Sequence, residues 1–158
     1  MEARYQLRQC PEAVPHLTRS GLAAQSLLTW ENGVMRIKVM PGKFAVCRLV
    51  NTVDLHDMLG DAQPYFLAVT PDEISLVCPS EVVPSDALEV EDDWALLQVV
   101  GPLDFGLVGV IADLSRTLAD AGIPIFVAST YLTDYLLVKA DRLHDAIRTL
   151  KADDHTVD

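Results

Sequence analysis

No apolar run in this chain approaches the ~18 residues needed to cross a bilayer. The opening stretch, MEARYQLRQC, lacks the continuous apolar core of a secretory leader. These two absences predict a cytoplasmic chain with no membrane partner. Cysteine is scarce. Cys10, Cys47 and Cys78 are three in number and form no CxxC pair, which argues against a disulfide framework and a zinc site. Cys47 and Cys78 sit in apolar runs and read as buried free thiols. The histidines, His16, His56, His144 and His155, are far apart, and none falls in an HxxxH or HExxH pattern. No metal and no cofactor is expected. Basic residues are few and scattered: 12 Lys and Arg stand against 23 Asp and Glu, for a net charge of −11. Such a surface repels phosphate backbones, so nucleic acid is not an expected partner. The acidic excess reads as solubility.

Nucleotide and hydrolase signatures are missing too. The one glycine-framed turn, GPLDFG at 101–106, runs on into Leu107 and Val108. A phosphate loop would carry a lysine and a hydroxyl residue at its end. The spacing is wrong for a dinucleotide fingerprint, and no GxSxG elbow occurs. Asp104 and Asp134 could approach each other as an acid–base pair. No histidine, cysteine or lysine lies in the same stretches to complete a constellation. The chain is therefore not expected to be an enzyme. Asp104 itself can be read as a cap for the helix that follows.

What is present is a well-patterned globular chain. Half of its 158 residues are apolar, enough for one domain or two very small ones sharing a core. Residues 1–33 read as an N-terminal extension in which 22–30 could form a short helix. From residue 34 the period changes to two: Met35, Ile37 and Val39 alternate with Arg36 and Lys38, a half-buried strand. A second strand follows over 43–50, and 51–64 reads as loop or short helix. The runs 65–69 and 74–78 flank TPDE, a hairpin. The proline-rich, acidic stretch 79–93 reads as a short helical turn and a linker.

The second half is clearer. Residues 94–100 form a buried strand. Leu107, Ile111, Leu114 and Leu118 then share one helix face. Gly122 and Pro124 stop that helix. Strands at 125–131 and 134–140 are joined by Leu132 and Thr133. Asp141 is placed to cap a last helix with the stripe Leu143, Ala146, Ile147 and Leu150. HTV at 155–157 could add a short final strand. The order β-α-β-β-α-(β) is ferredoxin-like, an α+β arrangement with helices on one face of an antiparallel sheet. The first half looks like a reduced version.

The stretches GKFAVCRL, YFLAVTPDEISLVCP and VVGPLDFGLVGVIADLSRTLADAGIPIFVASTYLTDYLLV, with the closing helix, resemble the ACT-domain proteins. They are most similar to the small tandem-ACT subfamily related to the CASTOR-type cytosolic arginine sensors. The resemblance runs from about residue 34 to 155. It implies two ACT-like βαββαβ units in tandem: a reduced first unit at 34–90 and a second at 91–158. It also implies a regulatory module that binds a small ligand, by preference an amino acid, and alters its association with a protein partner. In such proteins the ligand meets the loop after the first strand, the start of the next helix and the opposite strand ends. Here those are Gly101, Pro102, Leu103, Asp104, Phe105 and Leu107, then Tyr131, Thr133 and Asp134, and from the first half Ser75, Leu76 and Val77.

The chemistry suits a zwitterion. A helix N-terminus offers unpaired N–H groups to a carboxylate. Asp104 and Asp134 can meet an amino group, and Tyr131 can supply an aromatic wall. Thr133 stands where a larger ring would help hold a long cationic side chain, so ligand identity stays open. A sheet edge and uncovered apolar faces predict a homodimer. The alternative reading is a structural association module that binds no ligand.

Overall fold

A computed structural model describes residues 33–50 and 59–158. Cys10, His16 and His56, nearly all of the N-terminal extension with its helix at 22–30, and most of the 51–64 segment lie outside the described residues.

The described strands are β1 (Arg36–Val39), β2 (Phe44–Leu49), β3 (Phe66–Val69), β4 (Ile74–Pro79), β5 (Glu89–Val99), β6 (Ile125–Ser129), β7 (Asp134–Lys139) and β8 (Thr156–Val157). The helices that lie wholly within the described residues are α1 (Val110–Asp120) and α2 (Leu143–Ala152). In β1 only Ile37 is fully buried while Arg36 and Lys38 are exposed, as the alternation predicts. β2 and β4 instead read as near-continuous apolar runs because both their faces are covered. Ala45, Cys47, Leu49, Leu76 and Cys78 form one core cluster. Phe44 and Val77 face the other way and meet Leu96 and Leu137.

The strands wind in the order β6-β7-β5-β2-β4-β3, every neighbouring pair antiparallel. β5 is the shared member. Trp94 pairs with Phe44 of β2 on one side and Lys139 of β7 on the other. Past that point β1 takes the place of β2, with Leu97 pairing Val39. The winding curls around Phe44, Val77, Leu96 and Leu137. Its two ends come together, and the rings of Phe66 and Tyr135 meet at 4.8 Å.

β5 begins at Glu89, inside the segment expected to be a linker. Residues 89–93 are acidic and poor strand formers, but β2 supplies a partner edge, and pairing overrides local propensity. Arg48 binds Glu89, Lys43 binds Asp93 and Lys139 binds Glu91. The register slips once between Phe44 and Val46, and there Asp93 takes φ 62°. The kink re-aims the strand between its two sets of neighbours. Asp92 fixes it by accepting bonds from the Ser80 hydroxyl and the Asp93 N–H. Those bonds hold its carboxyl below the ordinary range.

The C-terminal part follows the ferredoxin-like order β5-α1-β6-β7-α2. Both helices pack on one sheet face through Leu114, Leu118, Ala146 and Leu150. α1 stops as predicted. Gly122 has φ 65°, its N–H donates to Ala119 O, and that of Ile123 donates to Leu118 O. This is the double bond of a Schellman cap. Three expectations are corrected. α1 starts at Val110, three residues after Leu107, with Gly109 at its head and no side-chain cap. Asp104 instead accepts the Gly106 N–H at 2.7 Å, a local turn bond. Asp141 does not cap α2, because a short 3-10 turn, Ala140–Arg142, comes first. The short final strand expected at 155–157 forms as β8, parallel to β1. β1 already fills the place beside β5.

The hairpins of the two halves repeat. Asp134–Lys139 follows Ile74–Pro79 by 60 positions, and each strand runs into a 3-10 turn. Each hairpin turn closes on a threonine: Thr70 N–H donates to Glu73 O, and Thr130 N–H to Thr133 O.

Leu137 is fully buried at the centre of the winding. Leu137→Ala is expected to lose about 2–5 kcal/mol of stability, measured by chemical denaturation. Burial pushes the Cys78 thiol up to about 12 and raises Cys47 in the same direction. At pH 8 the Cys78 thiolate is then on the order of one part in ten thousand. Iodoacetamide should leave Cys47 and Cys78 unmodified in the native protein and alkylate both in guanidinium, read by peptide mass mapping.

Candidate functional site

The loop between β5 and α1 is fixed to the turn between β6 and β7. Gly101 makes this possible: a Cβ there would lie 2.6 Å from the Leu132 carbonyl oxygen and 3.1 Å from the Thr133 Cβ. Leu103 N–H donates to that same Leu132 carbonyl at 2.8 Å, and the Thr133 hydroxyl donates to Val99 O. Leu107 N–H then closes on Asp104 O. Gly109, at φ 95°, turns the chain into α1. Leu103, Leu107 and Ile111 rest on the main core.

Between loop, helix start and turn lies an open cavity of about 390 Å³. It gathers Leu103, Asp104, Phe105, Leu107, Tyr131, Thr133 and Asp134 from the predicted set. Gly101 and Pro102 stay behind it as support. Ser75 and Val77 are not brought here; they line a separate groove, and Leu76 is fully buried in the core. The sequence reading missed Gly109–Ala112, because it began the helix at Leu107. Gly109 ahead of the apolar stripe was the available signal.

The cavity has a definite polarity. The first N–H groups of a helix have no acceptor within it, and α1 has no side-chain cap. Its first turn lines one wall. The lining also includes two carboxylates, Asp104 and Asp134, and no Lys, Arg or His. Asp104 shares one oxygen with Gly106 N–H. The hairpin turn is held by Thr130, whose hydroxyl donates to Thr133 O and accepts the Thr133 N–H. Among the described residues no donor reaches the half-buried Asp134 carboxylate. Phe105 and Tyr131 meet edge to face at 5.1 Å on the rim, each 79% exposed.

A second polar cluster lies apart from this cavity. His155 is only 4% exposed. Its Nε2 lies 3.6 Å from Asp113 and 4.0 Å from Asp153, a spacing that could hold a cation. The ring's other nitrogen argues otherwise. Nδ1 accepts the Met35 N–H at 3.2 Å, so the proton of the neutral ring sits on Nε2. A metal-bound histidine has the reverse pattern, donating from its free nitrogen. His155 thus ties the C-terminal segment to the start of β1, and its Nε2 faces two carboxylates beyond hydrogen-bond reach.

The architecture is an ACT-like α+β fold, ferredoxin-like in its helix-bearing part. Residues 89–152 match the ACT domain family. Similar solved structures include the Agobacterium tumefaciens protein Atu0741, at 26% identity over 78% of this chain and 92% of that one, TM-score 0.70. A Vibrio cholerae protein of unknown function, VC0802, described as a possible transport protein, is 21% identical over 75% of this chain and 88% of that one, TM-score 0.59. The ligand-free regulatory subunit of aspartate kinase from Thermus thermophilus is 12% identical over 73% and 95%, TM-score 0.50. The last two share the fold alone.

Gly101→Ala forces a methyl group against the Leu132 carbonyl oxygen. It is expected to lose about 1–3 kcal/mol of stability and to speed hydrogen exchange at the Leu103 amide while the core amides of β7 stay protected.

Proposed function

We propose that this chain is a regulatory, ligand-binding ACT protein without catalytic activity, and that its cavity at the head of α1 takes a small zwitterion, an amino acid by preference. The observation that carries the reading is Asp134. An aspartate opening a strand after a tight turn ordinarily serves the turn. Here Thr130 does that work, and the Asp134 carboxylate is left facing the cavity lining. An amino group placed against it puts the ligand's own carboxylate within the field of the α1 N-terminus. The shared ACT-like fold of an aspartate kinase regulatory subunit supports a regulatory role.

We further read the chain as two tandem ACT-like units, 34–90 and 91–158, in the manner of the CASTOR-type sensors. The 60-position repeat of the hairpins supports this. Ile74 occupies the place of Asp134 in the first hairpin, so one such site per chain is expected. The protein acts in the cytoplasm as a homodimer and signals through a protein partner. The exposed rim of Phe105, Val108 and Tyr131 favours the second reading, a pure association module.

A thermal-shift screen of amino acids separates the two. A ligand that binds only the native state adds about 2.7 kcal/mol at a hundredfold excess over its dissociation constant. No shift with any amino acid would leave the association module. With the best ligand in hand, Asp134→Ala should weaken binding by about 2–3 kcal/mol, roughly thirty- to more than a hundredfold, in calorimetric titration. The apo thermal midpoint should stay near wild type. Unchanged affinity would remove Asp134 from the site.

A further inference from the structure

The strand winding is open along one seam, between its end strands β3 and β6. A groove of about 270 Å³ runs there. It touches three consecutive residues of β3 (66–68) and four of β6 (126–129), with Ser75 and Val77 behind them. Side chains of a strand alternate between its faces. A groove that meets consecutive residues therefore meets the strand's edge, where main-chain N–H and C=O groups project. Among the described residues β3 pairs only with β4, and β6 only with β7. Both walls are rows of main-chain groups without a strand partner among the described residues.

Natural sheets protect such edges with charge, proline or a bulge. Neither strand has any of these. FLAV and IFVAS contain no charged residue and no proline, and both ladders keep an unbroken register. This holds in a chain of net charge −11, whose surface has acidic residues to offer. Leu67 and Phe126 remain exposed there. Bare, uncharged edges on both sides of one groove are the complement of an extended main chain with apolar side chains.

We propose that the β3–β6 groove is a docking site for an extended, uncharged apolar segment of another polypeptide, held by strand addition to the free edges. β3 and β6 run in opposite senses around the winding. The incoming strand is therefore parallel to one wall and antiparallel to the other. A second copy of this chain is a poorer fit. It can offer only a sheet edge whose other side is already paired, so it can add to one wall but not to both. The groove is distinct from the amino-acid cavity, which it meets only at Ser129.

The test uses the full chain and a blocked hexapeptide of alternating valine and threonine, with the same peptide N-methylated at every residue as its counterpart. Main-chain pairing tolerates sequence, so this probe suffices. Hydrogen exchange read by mass spectrometry should slow at least about tenfold across β3 and β6 with the plain peptide and stay unchanged with the methylated one. Ala68→Lys and Ala128→Lys place a charge on either edge and should each abolish the slowing. Their thermal midpoints check that they still fold, and a truncated peptide series on the wild type gives an independent reading if one does not. Three results overturn the proposal: no slowing at about 1 mM peptide, equal slowing by the methylated peptide, or slowing without peptide that grows with protein concentration. The last would identify a second copy as the occupant. None of these readings depends on a ligand in the amino-acid cavity.

Discussion

Everything in this molecule hangs on β5 having partners on both of its edges. Its first half completes the sheet of β2, β4 and β3, and its second half lies between β1 and β7. The apolar face of Leu96 is thereby turned toward Phe44 and Val77, and the interior of the winding exists only because one strand belongs to both groups. The kink at Asp93 is the local adjustment this double pairing demands. A non-glycine residue at positive φ is held there by neighbours that leave it no alternative.

The cavity depends on β5 at one remove. The strand's end delivers Gly101 to the β6–β7 turn, and only a residue without a side chain can come so close. From that fixed point the loop must cross to the head of α1, and the space it arches over becomes the cavity. Its polarity follows from the elements that meet there: the positive end of a helix and two carboxylates. The aromatic pair on the rim is set by the same loop and turn.

The helix-bearing part was legible in the sequence, because each element there carried its own local signal. The stripe Ile111, Leu114 and Leu118 and the Gly122 stop needed nothing from elsewhere in the chain. Seven of the cavity residues follow from the same stretches. What could not be read was set by distant partners. Nothing in Glu89–Asp93 suggests a strand; β2 makes it one. Nothing in the last three residues tells that β1 has already taken the position beside β5. The family resemblance places Ser75 in the site, but it lines the groove at the β3–β6 seam.

The displaced strand β1 has a consequence for the order in which the chain can assemble. It leaves the ribosome ahead of every other described strand, yet its neighbours are the far half of β5, at Leu97 to Val99, and β8, at the other end of the chain. Pairings of such sequence separation form late, because the intervening chain must be closed before they are rewarded. The first of the described strands to be made is thus among the last to find its place. Until β5 has been made, β1 has no strand to pair with, and until β8 has been made its other edge stays uncovered.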